Sequence, residues 1–168
     1  MVNLEEFSME GPQRRTFRNV ANRFAKDGYV FEVLSPPFTD DFLDRLESIS
    51  LEWIGKRKEM SFSVGWFNRS YLQKSPIAII KNQANDEIVA FVSTTYRDQR
   101  RIGIDLMRFK KEVPNSTMDF LFIRLLLHFK EAGYQYFSLG VAPLAKVGAA
   151  PRSHRTERIA HFIYKHGH

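Results

Sequence analysis

The sequence predicts an α/β domain with a mixed, mainly antiparallel sheet and helices on both faces. Two observations carry this prediction. The apolar runs 77–80 and 88–96 flank a polar turn and are followed by a third run, 101–107, which together indicate an antiparallel meander. An apolar helical stretch at 118–132 then leads into a further strand at 134–139, which indicates a βαβ crossover.

Two helices and one strand are predicted before the meander. Apolar residues at helical spacing indicate a first helix over 13–26, and Gly28 ends it. The segment YVFEVL at 29–34 is typical of a strand. Thr39 or Asp40 caps a second helix running to about Lys56, and a short helical turn is expected at 68–73. With no repeat or linker in the sequence, we expect one domain over residues 1–168.

Composition excludes several classes of protein. With 43% hydrophobic residues the chain is not disordered, and without cysteine it has no disulfide framework, cysteine-based zinc site or catalytic thiol. No apolar run approaches the about 20 residues that span a bilayer, and the N-terminal residues do not read as a secretory signal. The net charge of +6 favours an anionic partner such as nucleic acid, a lipid surface or a phosphorylated molecule.

The first helix is the most basic part of the N-terminal region. Arg14, Arg15 and Arg18 fall in a window, 13–26, that contains no acidic residue, and helical spacing puts them away from the apolar side. A charged stretch of this kind is commonly a solvated helix face. Because no glutamate is placed to pair with them, binding of an anion by these arginines is an equally good interpretation.

Standard catalytic and cofactor motifs are absent. The sequence has no G-x-S-x-G nucleophile turn and neither of the common glycine-rich phosphate loops. Four of the five histidines lie near the C-terminus without the spacing of a metal site, so no metal is expected; they are His154, His161, His166 and His168.

Asp105 and Arg108 end the third strand of the meander with a carboxylate and a guanidinium. Neighbouring strand ends form the ligand crevice in many mixed sheets. Residues three apart point to opposite faces of a straight strand, so the two side chains meet only if the strand bulges or ends between them. The alternative is a structural ion pair that fixes the strand.

The order of elements resembles the Gcn5-related acyltransferase fold. Members that use acetyl-CoA hold its pyrophosphate in a glycine-rich turn before a helix. The corresponding junction here, 108–116, has no glycine and contains Pro114, which lacks an amide hydrogen. Acetyl-CoA binding is therefore not expected, and we predict no cofactor.

Longer segments resemble one family closely. GIDLMRF, STMDFLFIRLLLHFKEAGYQYFSLGVAPLAKVG and SFSVGWFNRSYLQKSPIAIIKNQANDEIVAFV are similar to the catalytic domain of lysylphosphatidylglycerol synthetase, the multiple peptide resistance factor of bacteria. SMEGPQRRTFRNVANRFAKDGYVFEV also matches the start of the second acyltransferase-like repeat in that family. The resemblance extends from about Phe7 to Gly148.

The resemblance implies a function and a context. Members of the family transfer lysine or alanine from aminoacyl-tRNA to the glycerol hydroxyl of phosphatidylglycerol, at the cytoplasmic face of the bacterial membrane. The expected partners are aminoacyl-tRNA, phosphatidylglycerol in an anionic membrane, and an upstream repeat and membrane domain of the same parent chain. The family continues into a G-L-R-x-F-K-x-K-F segment that this sequence, ending in HFIYKHGH, lacks. An inactive fragment is therefore one expectation.

The resemblance also assigns residues. Asp105 matches the family's functional acid and is the expected base or orienting group, and Arg108 matches its arginine and is the expected clamp for phosphate or oxyanion. We expect the two to converge at the strand end. Tyr71 would line the lipid or aminoacyl pocket, and Arg14, Arg15 and Arg18 would face tRNA phosphates or anionic head groups. The alternative function is a non-catalytic module with the same fold that binds tRNA or the anionic membrane.

Overall fold

A computed structural model of the protein describes residues 1–55 and 66–139. The predicted loop at 140–148, the basic C-terminal stretch, its histidines and the segment 56–65 lie outside the described residues. A short 3₁₀ turn, Pro12–Arg14, precedes the first helix. The elements in chain order are β1 Val2–Asn3, α1 Arg15–Lys26, β2 Tyr29–Leu34, α2 Asp40–Ile54, α3 Arg69–Leu72, β3 Ile77–Asn82, β4 Glu87–Tyr96, β5 Arg101–Phe109, α4 Thr117–Glu131 and β6 Tyr136–Ser138.

The strands form a mixed sheet in the order β1-β6-β5-β4-β3-β2. β2 pairs with β3, β3 with β4 and β1 with β6 in antiparallel fashion, and β5 pairs with β6 in parallel. The prediction of a mixed, mainly antiparallel α/β sheet is confirmed. β1 was not predicted, because a two-residue strand has no measurable period; Val2 is nevertheless buried opposite Phe137.

The described residues form two compact units. The first comprises residues 1–27, 96–103 and 114–139, and the second comprises residues 28–55, 66–95 and 104–113. In the described part of the first unit, Phe24 of α1 stacks on Phe120 of α4 with ring centroids 4.6 Å apart. α4 buries residues around most of its circumference, as its almost continuous apolar sequence predicts.

The second unit has its core between α2 and one face of the strands. Thr39 caps α2, as predicted, through its Oγ1, which accepts a hydrogen bond from the amide of Phe42. α2 ends at Ile54, two residues earlier than expected, because Gly55 takes a positive φ of 60°. The buried core residues are Leu43, Leu46, Ile49, Phe67, Leu72, Ile77, Ile79, Ile88, Phe91 and Leu106.

Gly103 marks the last pairing between β5 and β6. It lies opposite Ser138, and a Cβ atom at position 103 would come within 2.9 Å of Ser138 Cβ and 3.0 Å of its carbonyl oxygen. Only glycine permits this close approach of the two backbones. Glycine at position 103 therefore allows the short distance between β5 and β6 at Ser138.

Candidate active site

Asp105 and Arg108 lie on opposite faces of β5. Side chains alternate along a strand, and β5 follows this rule: Leu106 and Arg108 are buried, whereas Asp105 and Met107 are partly exposed. β5 continues through Phe109, so it does not end between the two candidate residues. The prediction that Asp105 and Arg108 converge is therefore wrong, and they cannot share one role at the strand end.

Arg108 faces α2. Leu106, on the same face of β5, belongs to the core formed with α2, and the Arg108 guanidinium carbon lies 4.1 Å from the centroid of the Trp53 ring near the end of that helix. Nη1 of Arg108 donates to the carbonyl oxygen of Met107 at 2.9 Å, and the residue is only 8% exposed. A buried guanidinium stacked on indole stabilises the packing of strand on helix.

No motif in the sequence marks Trp53 as a site residue. Its partnership with Arg108 could not be read from the sequence, since 54 positions separate two residues that no motif links. The last turn of α2 is held further by Glu52, whose Oε1 accepts a hydrogen bond from the amide of Lys111 at 2.7 Å. The end of α2 and the end of β5 are thus fixed together by side chains from both elements.

Asp105 is the carboxylate on the other face. Burial raises the pKa of its carboxyl above the ordinary value for an aspartate, and no charged group contributes to that shift. Within the described ranges, no side chain or amide donates a hydrogen bond to it or forms an ion pair with it. A partly buried, unpaired carboxylate with a raised pKa is a stronger base than a solvated one.

The position of Asp105 along the strand matters as well. β6 pairs with β5 only from Arg101 to Gly103, and Asp105 comes two residues after the last pair. Along the rest of β5 no described strand pairs with that edge. Asp105 is thus a partly exposed carboxylate beyond the last described pair of β5 and β6, and its pKa is raised by burial.

Tyr71 lies in α3, which is fixed to α2 by Arg69. The guanidinium of Arg69 binds the carboxylates of Asp44, at 2.5 Å, and Glu47. Tyr71 itself is 42% exposed, and Nζ of Lys74 lies 5.9 Å from the centroid of its ring. The described structure brings Tyr71 into contact with neither Asp105 nor Arg108, so its place in a substrate pocket stays a prediction.

The three basic residues at the start of α1 differ in their surroundings. Nη1 of Arg18 donates to the carbonyl oxygens of Met9 and Gly11, at 2.5 and 2.8 Å, and so ties the N-terminal segment to α1. Arg14 lies in the 3₁₀ turn before the helix, with its guanidinium 5.2 Å from the Phe17 ring centroid. The expectation that Arg14 points away from the apolar side is therefore wrong.

Arg15 is the exposed member of the group, whereas Arg14 and Arg18 make the contacts with the protein given above. Binding of an anion by all three side chains as one open patch is thus not the arrangement that the structure shows. Their role toward phosphate remains a prediction, which now depends mainly on Arg15.

The start of α4 contains a buried acid that the sequence analysis did not assign. Asp119 is 1% exposed, and neither of its oxygens has a hydrogen bond of good geometry to another described residue. Burial raises the pKa of its carboxyl to about 7, while the nearby Ser116 hydroxyl and the charge of Arg23 act in the opposite direction. The only sequence signal was its place in the first turn of an almost wholly apolar helix.

These residues do not fit a pyrophosphate at the start of α4. Pro114 has no amide hydrogen, and its carbonyl oxygen is taken up by the Thr117 hydroxyl at 2.6 Å. The Asp119 carboxylate already lies in the first turn, where a cofactor phosphate would have to approach. In its ionised form this carboxylate would repel the phosphate groups.

We predict that Asp119→Asn stabilises the chain at high pH. A folded-state pKa near 7 lies above the value of an unfolded aspartate. Ionisation therefore opposes folding; this penalty is absent below the unfolded pKa, grows as pH rises and is complete above about 7. Urea unfolding at pH 5 and pH 8 should show an advantage of the variant that is larger at pH 8. An advantage that is equal at both pH values would contradict the prediction.

Among the described residues, no group of three histidine, cysteine or acidic side chains is arranged to hold a metal ion. Within the same ranges, no helix is long and apolar enough to cross a membrane.

Comparison with known proteins decides the family. The family model described as "Phosphatidylglycerol lysyltransferase, C-terminal" matches residues 1–168. This chain belongs to that family. The match extends beyond the resemblance found by inspection, which ran from about Phe7 to Gly148. Phosphatidylglycerol lysyltransferase of Bacillus subtilis is 47% identical over 164 residues, and that of Staphylococcus aureus MRSA252 is 39% identical over 169 residues.

The family member described here spans only part of its relatives. The matches cover 97% and 99% of this chain but 19% and 20% of the B. subtilis and S. aureus proteins. A solved structure of the synthetase from Bacillus licheniformis aligns with TM-score 0.78 and 45% identity, over 90% of this chain and 48% of that one. The C-terminal domain of a lysylphosphatidylglycerol synthetase from Agrobacterium fabrum aligns with TM-score 0.76 and 32% identity, over 99% and 49%.

Proposed function

We propose that this lysyltransferase-family chain is part of an enzyme that transfers an amino acid, lysine or alanine, from aminoacyl-tRNA to the glycerol hydroxyl of phosphatidylglycerol. Family membership over all 168 residues supports the reaction class. The observation that carries the chemistry is Asp105, a partly buried carboxylate that pairs with no described residue and lies beyond the last described pair of β5 and β6. The larger chain would act at the cytoplasmic membrane face, with an upstream repeat and a membrane domain.

The reaction needs a base and no external energy source. The amino acid is already activated as an ester on the terminal ribose of tRNA. The glycerol oxygen attacks the ester carbonyl carbon while Asp105 accepts the hydroxyl proton; a new ester bond forms and the bond to the ribose oxygen breaks. The ribose oxygen leaves with a proton, which Asp105 can return. A raised pKa suits Asp105 for both transfers.

Arg108 takes a different part in this proposal from the one first expected. Its burial against Trp53, on the face of β5 opposite Asp105, supports a positioning role. It fixes the end of β5 on α2 and thereby holds the strand that carries Asp105.

A chimeric enzyme tests the function. This chain would replace the matching region of the B. subtilis relative, to which it is 47% identical, and the chimera would be expressed in cells that make no aminoacyl-phosphatidylglycerol. We expect lipid extracts to contain aminoacyl-phosphatidylglycerol. The relative with the region deleted serves as the negative control. A folded, membrane-inserted chimera that makes no such lipid would contradict the proposal and favour the non-catalytic binding module.

A further inference from the structure

A second basic surface lies at the turn between β4 and β5, within the first unit. All residues from Tyr96 to Arg101 are exposed, and three of the six are arginines. Tyr136 of β6 adjoins them, because it is the pairing partner of Arg101. We call this surface the turn patch; its members are Tyr96, Arg97, Asp98, Gln99, Arg100, Arg101, Gln135 and Tyr136.

Backbone hydrogen bonds join the parts of the turn patch. The amide of Arg97 donates to the carbonyl oxygen of Arg101 at 3.0 Å, and the amides of Gln135 and Tyr136 both donate to the carbonyl oxygen of Arg100, at 3.0 and 3.1 Å. The turn and the start of β6 therefore hold one another in place. An open cleft of about 390 Å³ lies between them, lined by members of the patch.

The charge of the turn patch is strongly positive. Asp98 is its one acid, and both carboxylate oxygens are used within the turn: Oδ1 accepts from the Arg100 amide at 2.9 Å, and Oδ2 pairs with Nε of Arg101 at 3.1 Å. Across the described ranges, no carboxylate pairs with the side chain of Arg97 or Arg100. Two guanidiniums are therefore available to anionic groups from outside.

Aromatic rings flank these guanidiniums. Tyr96 is 52% exposed and Tyr136 is 39% exposed. Tyr96 is backed by Tyr134, with ring centroids 6.4 Å apart. Exposed rings interleaved with arginines bind single-stranded nucleic acid, because bases stack on the rings and phosphates pair with the guanidiniums. Tyr96, Arg101 and Tyr136 lie on three neighbouring strands, β4, β5 and β6. The outer two of three neighbouring strands are about 10 Å apart, which is about the rise of three stacked nucleotides.

We infer that the turn patch binds a single-stranded RNA segment; if the proposed function holds, this is the acceptor end of the aminoacyl-tRNA. RNA is favoured over a lipid surface because no member of the patch is an aliphatic side chain that could enter the acyl region, whereas amides and guanidiniums for base edges and phosphates are present. The inference rests on the proposed function only for the identity of the RNA.

Binding of a fluorescein-labelled tRNA to the 168-residue chain tests the inference, measured by anisotropy over a series of salt concentrations. Replacing Arg97 and Arg100 together by Gln should weaken binding at least about tenfold at low salt and reduce the log–log salt slope by about 1.4, since each lost phosphate contact removes about 0.7. Tyr136→Leu should weaken binding with an unchanged slope, because it removes stacking and leaves charge intact.

The control for loss of charge elsewhere is Arg45→Gln, which removes one of the two charges lost by the double variant, from an arginine paired with Asp86 in the second unit. It should leave tRNA binding within about twofold. Unchanged binding by the Arg97/Arg100 variant would overturn the inference, as would an equal loss in the Arg45 control. Loss of binding to phosphatidylglycerol vesicles, with tRNA binding retained, would also overturn it and identify a membrane contact instead.

The chimera separates this inference from the proposed function. The Arg97/Arg100 substitutions should raise the KM for aminoacyl-tRNA and leave kcat within about twofold. An active chimera whose KM does not change contradicts the turn patch alone. A chimera that is inactive without these substitutions contradicts the proposed function alone, because the binding measurement does not depend on transfer.

Discussion

Asp105→Asn in the chimera is expected to reduce aminoacyl-phosphatidylglycerol formation by about 10²–10⁴-fold, which is the usual contribution of a general base. The amide keeps the shape of the side chain and cannot accept the glycerol proton. Asp27→Asn, at an exposed position after α1, is the matched control for loss of one negative charge and should retain full activity.

Asp105→Asn should not lower the free energy of unfolding. No described residue pairs with the Asp105 carboxylate, so no ion pair is broken. Because burial raises the pKa of Asp105, its ionisation opposes folding above the folded-state pKa, and the amide removes this penalty. The free energy of unfolding at neutral pH should be unchanged or slightly higher. An inactive variant that also unfolds more easily would assign Asp105 to the fold instead of the reaction.

Arg108→Ala is expected to destabilise the 168-residue chain by about 2 kcal/mol or more. The substitution removes the cation–π contact of a buried guanidinium with the Trp53 ring, together with the packing of the arginine stem. Arg108→Lys should recover part of the loss, since lysine keeps the charge without the planar stacking group. Urea unfolding of the unsubstituted chain, Arg108→Ala and Arg108→Lys gives the free energies to be compared.

A double-mutant cycle identifies the partner. Arg108→Ala and Trp53→Leu should be coupled by about 1 kcal/mol, because the two side chains are in contact. Arg45→Ala, which breaks an exposed pair with Asp86, should cost less than about 1 kcal/mol. A stable Arg108→Ala variant with no coupling to Trp53 would show that burial on α2 is not what retains this arginine.

The meander and the long helices were predictable because their signals are local. The alternation in β4 and the helical spacing in α2 each fall within a single window of sequence, and the elements lie within a few residues of the predicted ends. β1 was missed because it consists of two residues whose pairing partner lies more than 130 positions away.

The candidate site was predictable in its residues and not in its geometry. The D-L-M-R segment identified Asp105 and Arg108, and spacing alone placed them on opposite faces; expecting them to converge required a bulge that β5 does not have. The partner of Arg108 and the burial of Asp119 depend on contacts between elements, which the sequence does not encode locally. Arg14 was misplaced because the helix begins at Arg15, two residues later than predicted, and Arg14 lies in the 3₁₀ turn before it.

The rate of a single turnover as a function of pH tests the role of Asp105 most directly. The chimera would be mixed with pre-charged aminoacyl-tRNA and phosphatidylglycerol vesicles, and aminoacyl-lipid would be quantified at each pH. We predict that the rate rises with pH through an apparent pKa above the ordinary aspartate value, as expected for a base whose pKa is raised by burial, and that Asp105→Asn is slow and lacks this rise. A variant with the rate and pH profile of the unsubstituted chimera would contradict the account.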